Sequence, residues 1–450
     1  MTSNLSILIL AAGKGTRMKS DLPKVMHKIA NREMLNSVID EAKILQPKNI
    51  TIVVSEEMQN FQEKIIKEHA EAKISFALQK ERKGTAHAVS TGLKNLHDLG
   101  EKLLILYGDT PLTSHATLKK MIDKLDDFSL CILGFEDEEP NTYGRLVVDE
   151  KGHLEKIVEF KDATEEEKKI ALCNSGVIAV AGKQIKNLLN AVKNDNAAKE
   201  FYLTDIVAIA GEMGLKRTFL KTEIEEVLGV NSRVELAKLE KIKQDQIRKK
   251  MMDSGVTLLD PSSVYFSFDT EIENDVIIHP QVFFGAKVKI KKNVEIKSFC
   301  HIEGSEIGSG SFIGPFARIR PETKIAENVR IGNFVEVKKS QLKKGVKINH
   351  LSYIGDAEIG ENSNIGAGTI TCNYDGYKKS QTKIGKNVFV GSNSALIAPV
   401  EISDRALIAA GSVITKNVEA DNLAVARAKQ INIAEGGKKF HQNKLKKRND

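Results

Sequence analysis

Between Glu271 and Val418 an aliphatic residue, most often isoleucine, returns at every sixth position. The first run is Ile272, Ile278, Phe284, Ile290, Ile296, Ile302. One residue drops out and the count resumes at Ile307, Ile313, Ile319, Ile325, Ile331, Val337, then slips to Leu342, Ile348, Ile354 and again to Ile359, Ile365. After a long gap it closes on Ile384, Val390, Leu396, Ile402, Ile408, Ile414. Four residues after most anchors sits a small or β-branched side chain, as at Val276, Val282, Val288, Val294, Ser311, Ala317, Val329, Val335, Thr369, Ser394 and Ala406; Cys300 takes such a corner too. A helix needs apolar spacings of three and four and a half-buried strand needs two, so period six excludes both. Hexads build a left-handed parallel β-helix, with one short strand per hexad, three hexads per coil, and the anchors stacked inside. Such a solenoid can serve as scaffold alone. Chemistry is therefore expected where the rhythm breaks, at Val337–Leu342, at 354–359 and above all between Ile365 and Ile384.

The first half of the chain reads differently. Apolar runs LSILIL at 5–10, ITIVVS at 50–55, ISFAL at 74–78, LLILY at 103–107 and SLCILGF at 129–135 alternate with helical segments. One helix carries Leu35, Val38, Ala42 and Leu45, another starts near Thr85, and a third is opened by the cap residue Thr113. Strands alternating with helices predict a mainly parallel sheet covered on both faces, a Rossmann-like α/β domain whose ligands gather at the carboxyl ends of the strands. The expected boundaries are 1–229 for this domain, 230–254 for a connector helix, 255–435 for the solenoid and 436–450 for a basic tail. Ser232 with Glu235 forms a capping box for the connector, and Gly255 is its stop. The tail cations Lys438, Lys439, Lys444, Lys446, Lys447 and Arg448 are expected on a solvated, disordered end, with no nucleic-acid role. No apolar run reaches the ~18 residues of a membrane span, and the N-terminus lacks a basic leader. Four cysteines without CxxC spacing suit a reducing cytoplasm.

Two motifs fall at strand ends. Leu10-Ala11-Ala12-Gly13-Lys14-Gly15-Thr16-Arg17-Met18 follows the first strand, and Tyr107-Gly108-Asp109 ends a later one. Glycines let backbone N–H groups approach phosphate oxygens, while Lys14, Arg17 and Lys24 supply charge. No Gly-Lys-Ser/Thr closes the loop and Met18 stands where a third glycine would, so neither a Walker A loop nor a dinucleotide fingerprint is present. Asp109, at the end of an apolar strand, is a costly place for an unpaired carboxylate and points to a cation ligand.

LAAGKGTRM followed by LPKVMHKI resembles the signature of sugar-nucleotide pyrophosphorylases. Gln79, Gly84-Thr85-Ala86-His87-Ala88, Tyr107-Gly108-Asp109, Tyr143-Gly144-Arg145, Glu159, Asn174, Tyr202-Leu203-Thr204-Asp205 and Gly229-Val230-Asn231 recur in order. With the hexads, nearly the whole chain resembles the bacterial family of bifunctional N-acetylglucosamine-1-phosphate uridylyltransferases/glucosamine-1-phosphate N-acetyltransferases, whose product feeds cell-wall synthesis. The resemblance implies that Gln79 and Gly84 read uracil, that Asp109 and Asn231 hold Mg²⁺, and that Lys24 and Arg17 hold phosphates as catalytic cations. Leu10, Ala11, Gly13, Thr85, Tyr107 and Gly108 complete the UTP contacts, and Gly144, Glu159, Asn174 and Thr204 face the sugar. Ala86 departs from the family's usual glycine and is expected to be tolerated. His27 and His87 receive no catalytic role.

Near the breaks of the hexads lie His350-Leu351-Ser352-Tyr353, Asn364-Ile365-Gly366-Ala367-Gly368 and the loop Thr371-Cys372-Asn373-Tyr374-Asp375-Gly376-Tyr377-Lys378-Lys379. Repeat grammar requires none of them. By resemblance, His350 is the base that deprotonates the amine of glucosamine-1-phosphate for attack on acetyl-CoA. Glu336 is its expected orienting partner, and the N–H of Ala367 is expected to stabilise the oxyanion. Arg320, Lys338 and Lys379 match the family's sugar-phosphate cations and Tyr353 and Asn364 its sugar contacts. Tyr374 falls between the sugar and the coenzyme, while Asn373, Ser392, Ala410 and Arg427 match coenzyme A contacts. The family forms homotrimers through parallel solenoids, which puts the second site between neighbours. The rival reading keeps the solenoid as a trimerising platform on a monofunctional nucleotidylyltransferase, as in ADP-glucose pyrophosphorylases.

Overall fold

The computed structural model describes residues 4–96, 98–138 and 141–446. The chain divides into two compact units, Met1–Gln246 and Ile247–Asp450. In the first, a sheet runs in the order Arg217–Thr222, Leu130–Glu136, Leu172–Ala181, Lys102–Tyr107, Leu5–Ala11, Asn49–Val54, Ile74–Leu78. All neighbours on this path are parallel except Leu172–Ala181, which runs antiparallel to both of its own. Side chains alternate between two cores. Ile7 and Ile9 enter one with Leu35, Val38 and Ala42 of the helix Met34–Ile44, whereas Leu8 and Leu10 enter the other with Ala88 and Val89 of the helix Thr85–Lys94. The sequence expectation of a sheet covered on both faces is met. An antiparallel strand presents its beginning where its parallel neighbours present their ends. Asn174, opposite Gly134, is thereby delivered to the ligand-binding edge.

Two details of capping differ from the sequence reading or sharpen it. The helix His115–Lys124 is capped by Ser114, whose hydroxyl accepts from Thr117 N–H, and not by Thr113, whose hydroxyl donates to the Glu226 carbonyl at 2.8 Å. The helix Arg233–Asp253 carries the expected box: Ser232 N–H donates to Glu235 Oε2 at 2.9 Å and Glu235 N–H to Ser232 Oγ at 3.2 Å. It ends where Gly255 turns to φ +92° and donates to the Met252 carbonyl. The division between the units falls within this helix.

The second unit is a parallel β-helix whose three faces are sheets of 10, 8 and 8 strands. Each face takes every third strand, so anchors stack one per coil: Ile278, Ile296, Ile313, Ile331, Ile348, Ile365, Val390 and Ile408 stand in one column. Each buried aliphatic side chain contributes about 1.5–3 kcal/mol relative to exposure, and the corner residues Val276, Ser311, Ala317 and Ser394 are buried beside them. The slips of the hexad count share one place, the corner from the second face (strands such as Tyr353–Gly355) to the third (Ala357–Ile359). Gly304, Lys339 and Asp356 take positive φ there, as do residues such as Asn293, Glu322 and Asn328 at the full-length corners. The longest break also lies at this corner, and it is shorter than the sequence suggested. Thr371 is a buried anchor that the apolar pattern missed; its hydroxyl accepts from Gly355 N–H at 2.8 Å and donates to the Gly355 carbonyl at 3.1 Å.

The tail was expected to be disordered, yet Gly436–Lys446 is helical. Lysine, glutamine and leucine are good helix formers. Glu435 pairs with Lys438, and the Lys444 ammonium lies over the Phe440 ring. Lys447 and Arg448 lie outside the described residues. Among the described residues no helix is long and apolar enough to cross a membrane.

Candidate active sites

At the carboxyl edge of the sheet a cavity of about 300 Å³ is lined by Leu10, Ala11, Gly13, Lys24, Gln79, Gly84, Thr85, Tyr107 and Asp109 of the expected set. Ala12, Val25, Arg82, Ala88 and Glu200 line it as well. Gly84 sits at φ +112° with its α-carbon against the Phe201 backbone; an added Cβ would lie 2.4 Å from the Phe201 carbonyl oxygen. Only glycine fits that approach. Lys24 is the electrostatic centre. Its ammonium donates both to Asp109 Oδ2 and, at 3.1 Å, to Asn231 Oδ1. Two hard oxygens from distant parts of the sequence thus converge on one positive charge. Arg17, expected as a second phosphate cation, lies exposed on the turn Thr16–Met18 and does not line the cavity. Arg82 does, with its Nε donating to the Ala12 carbonyl at 2.9 Å. Its position between Gln79 and Gly84 was the available signal. Gly108 packs beneath, donating to the Leu10 carbonyl.

The four expected sugar-facing residues assemble beside the cavity. Asn174 N–H donates to the Gly144 carbonyl at 2.8 Å, and the Thr204 hydroxyl to Glu159 Oε1 at 2.9 Å. Burial raises the Glu159 carboxyl above its ordinary range, opposed by that hydroxyl, while Asp162 and Glu200 add to the rise. Burial, with Glu159 and Asp109 beyond it, keeps the Tyr107 phenol protonated. His27 is held below its usual value by burial and by Arg233, whose guanidinium meets its Nδ1 at 3.2 Å.

Asp205, next to Thr204, is pushed up to about 6, first by burial and then by Glu159, Asp195 and Asp162. The folded-state value lies above the unfolded one, near 4, so the folded protein binds the proton more tightly. The stabilisation is present below about pH 4 and is lost as pH rises through 6. Asp205→Asn is therefore expected to raise the thermal midpoint at pH 7.5 by several degrees and to leave it unchanged at pH 4. Equal shifts at both pH values, read by calorimetry, would count against this.

In the solenoid the expected residues fall into two sets at opposite edges of the second face. One is a column at its leading corner. Gly368 N–H donates to the His350 carbonyl, Asn393 N–H to the Ala367 carbonyl, Gly411 N–H to the Ser392 carbonyl and Arg427 Nη1 to the Ala410 carbonyl. His350, Ala367, Ser392 and Ala410 therefore rise one above another, with Arg427 on top, and Asn364 lies on the first face at the same level. Among the described residues no protein acceptor is recorded for the Ala367 N–H. His350 Nδ1 lies 2.7 Å from Asn333 Oδ1. An amide oxygen only accepts, so Nδ1 carries the proton, and in the neutral imidazole the lone pair lies at Nε2. Within one chain Glu336 is not the orienting partner: it bonds Arg320 at 2.8 Å. Register explains the correction, because Asn333 pairs with His350 on the first face whereas Glu336 pairs with Tyr353 on the second. The same register, read along the hexads, could have picked out Asn333.

The other set lies at the trailing corner, where the hexads slip. Arg320, Lys338, Tyr353 and Lys379 gather there with Asp356, whose carboxylate accepts from Asn373 Nδ2 at 2.5 Å. The Lys338 ammonium beside it holds Lys379 below the ordinary lysine value. Two ammonium groups facing each other are a repulsion that a phosphate dianion relieves. Tyr374 bonds the Gly376 carbonyl at 2.5 Å across the loop and is exposed. Within one chain, His350 and the cations are thus separated by the width of a face.

Comparison with known proteins finds matches along nearly the whole chain. Residues 7–252 match the family model of the MobA-like NTP transferase domain. Residues 304–339 match the bacterial transferase hexapeptide (six repeats), and residues 381–416 the hexapeptide repeat of succinyl-transferase. The chain is 48% identical to the bifunctional protein GlmU of Zymomonas mobilis over 448 residues, covering 98% of each. It is 46% identical to that of Paramagnetospirillum magneticum over 450 residues, covering 99% of each. Against the protein of the same name from Sphingopyxis alaskensis the identity is 45% over 451 residues, covering 100% of this chain and 99% of the relative.

Proposed function

The chain belongs to the bifunctional GlmU family, and on that footing we propose how its two units share two transfers. It is a two-activity transferase. The solenoid unit moves acetyl from acetyl-CoA to glucosamine-1-phosphate, and the α/β unit moves UMP from UTP to N-acetylglucosamine-1-phosphate, releasing pyrophosphate. The observation that carries the two-site reading over the platform reading is His350, its Nδ1 tied to Asn333 and its Nε2 free, one coil below the N–H of Ala367. A platform has no use for that arrangement.

In acetyl transfer, His350 Nε2 takes a proton from the substrate ammonium, the freed amine attacks the thioester carbon, and the C–S bond breaks as the adduct nitrogen gives up its second proton, which leaves with coenzyme A as the thiol. The Ala367 N–H is aimed to donate to the oxyanion. Arg320, Lys338 and Lys379 hold the sugar phosphate, and Ser392, Ala410 and Arg427 lie along the coenzyme. Because the cations sit across a face from His350, we assign them to neighbouring chains of a homotrimer, each completing the next. In uridylyl transfer a phosphate oxygen of the sugar-1-phosphate attacks the α-phosphorus of UTP as the bond to pyrophosphate breaks. Bringing two anions together makes charge neutralisation the main task. The oxygens of Asp109 and Asn231, which already converge on a cation, fit Mg²⁺, and such an ion would neutralise phosphate charge there. Lys24 and Arg82 supply further charge, and Gln79 and Gly84 meet the base. The four free cysteines suit the cytoplasm, where these substrates reside.

Division of labour gives an expected outcome. A fragment ending at Gly229 binds UTP weakly and turns over poorly, since it lacks Asn231. Extension through Asp253 adds Asn231, the capping box and the hydrogen bond from Ala30 N–H to Glu240, and restores turnover. Sedimentation should find this longer fragment monomeric and the full chain trimeric. A trimeric fragment or a monomeric full chain contradicts the arrangement.

A further inference from the structure

Gln79 is buried in the wall of the nucleotide cavity, just after the strand Ile74–Leu78, with its own N–H fixed to the Val54 carbonyl at 2.9 Å. Its side-chain amide has two ends of opposite polarity. Nε2 lies 3.1 Å from Nδ1 of His87, on the first turn of the helix Thr85–Lys94, and among the described residues this is the side chain's recorded partner. A neutral imidazole protonated on Nε2 offers a lone pair at Nδ1, which accepts from the amide NH₂. The amide oxygen is then left for the ligand. In that tautomer, rotating the amide by half a turn would set its oxygen against the Nδ1 lone pair, so reversal also requires the imidazole proton to move to Nδ1.

The orientation decides which pyrimidine is read. Uracil carries N3–H, a donor, and finds an acceptor in the Gln79 oxygen. Cytosine carries a lone pair at N3 and meets a lone pair instead. We propose that His87 is a positioning residue for base selectivity, holding Gln79 in the amide orientation that accepts from uracil and rejects cytosine. This rests on the reading of the α/β unit as a uridylyltransferase with Gln79 against the base. A site built around one hydrogen-bond polarity rejects the mismatched partner by large factors, and the part governed by the amide flip is about 10–100-fold.

The test uses the full-length enzyme with N-acetylglucosamine-1-phosphate and compares kcat/KM for UTP and CTP by pyrophosphate release. Both nucleotides carry the same triphosphate, so a merely loosened site scales both rates and leaves their ratio alone. His87→Ala is expected to lower the UTP:CTP ratio at least ~10-fold. His87→Glu, whose carboxylate only accepts, keeps the ratio within about threefold even where both rates fall, and His87→Lys, which only donates, lowers it. The Glu and Lys pair carries the test even if the alanine variant fails to fold. An unchanged ratio in Ala and Lys overturns the proposal, as does an equal loss in Glu and Lys. Gln79→Ala separates the two layers. If it leaves the ratio untouched, the reading of Gln79 against uracil fails; if it collapses the ratio while the His87 variants do not, the inference about His87 alone fails.

Discussion

Replacing His350 by alanine is expected to lower acetyl transfer to glucosamine-1-phosphate by ~10²–10⁴, the usual contribution of a positioned base. The side chain is exposed at the end of the strand Lys347–His350, and the buried anchor beside it is Ile348. The solenoid and its assembly should therefore survive the change. Uridylyl transfer, run by the other unit, should stay within a few-fold of the parent. The residual acetylation should rise with pH, because more of the substrate amine then arrives deprotonated. Thiol release from acetyl-CoA measures all of this. Loss of both activities would mean a folding defect, and loss of neither would make His350 an ordinary turn residue. Selective loss without rescue at high pH would keep the site but deny His350 the role of base.

Asp109→Asn is expected to be equally severe at the other site. The carboxylate balances the Lys24 ammonium and, with Asn231, offers the oxygens that fit Mg²⁺. Removing its charge should cut UDP-N-acetylglucosamine formation by at least ~10²–10³, as loss of a preorganised charge in a reacting site does. Weaker Mn²⁺ binding, read by electron paramagnetic resonance, should accompany the loss, with thiol release unchanged. Uridylyl transfer at the parental rate in low Mg²⁺ would contradict the assignment.

The parts of this molecule that repeat were plain from the sequence. Period six sets the coil, and a buried side chain, mostly isoleucine, at nearly every anchor leaves little else for Glu271–Val418 to become. The strand ends carrying Gly13 and Asp109 were legible for a related reason, since glycine and a carboxylate there need a ligand to explain them. Pairings that depend on register between coils were harder. Asn333 reaches His350 because successive coils align them, while Glu336, closer to the eye in the sequence, turns onto the next face and meets Arg320. Thr371 was missed as an anchor because a threonine can be buried when its hydroxyl is satisfied by the Gly355 backbone, which no hydropathy pattern reveals. Arg82 was passed over because a cation among Lys80, Glu81 and Lys83 reads as a solvated turn until the fold folds it over Ala12. Arg17 is a different case: the motif suggests a phosphate ligand, and in this structure its turn Thr16–Met18 leaves the side chain exposed and not among the residues lining the cavity.

The central claim is that one chain carries two chemically independent sites. Mixing the His350→Ala and Asp109→Asn proteins with glucosamine-1-phosphate, acetyl-CoA, UTP and Mg²⁺ tests it most directly, with UDP-N-acetylglucosamine followed by chromatography. Each variant alone should form almost none. The mixture should form it at a rate approaching that of the parent enzyme, because the Asp109 variant acetylates and the His350 variant couples the released product. A mixture no more active than its better component would contradict two independent sites.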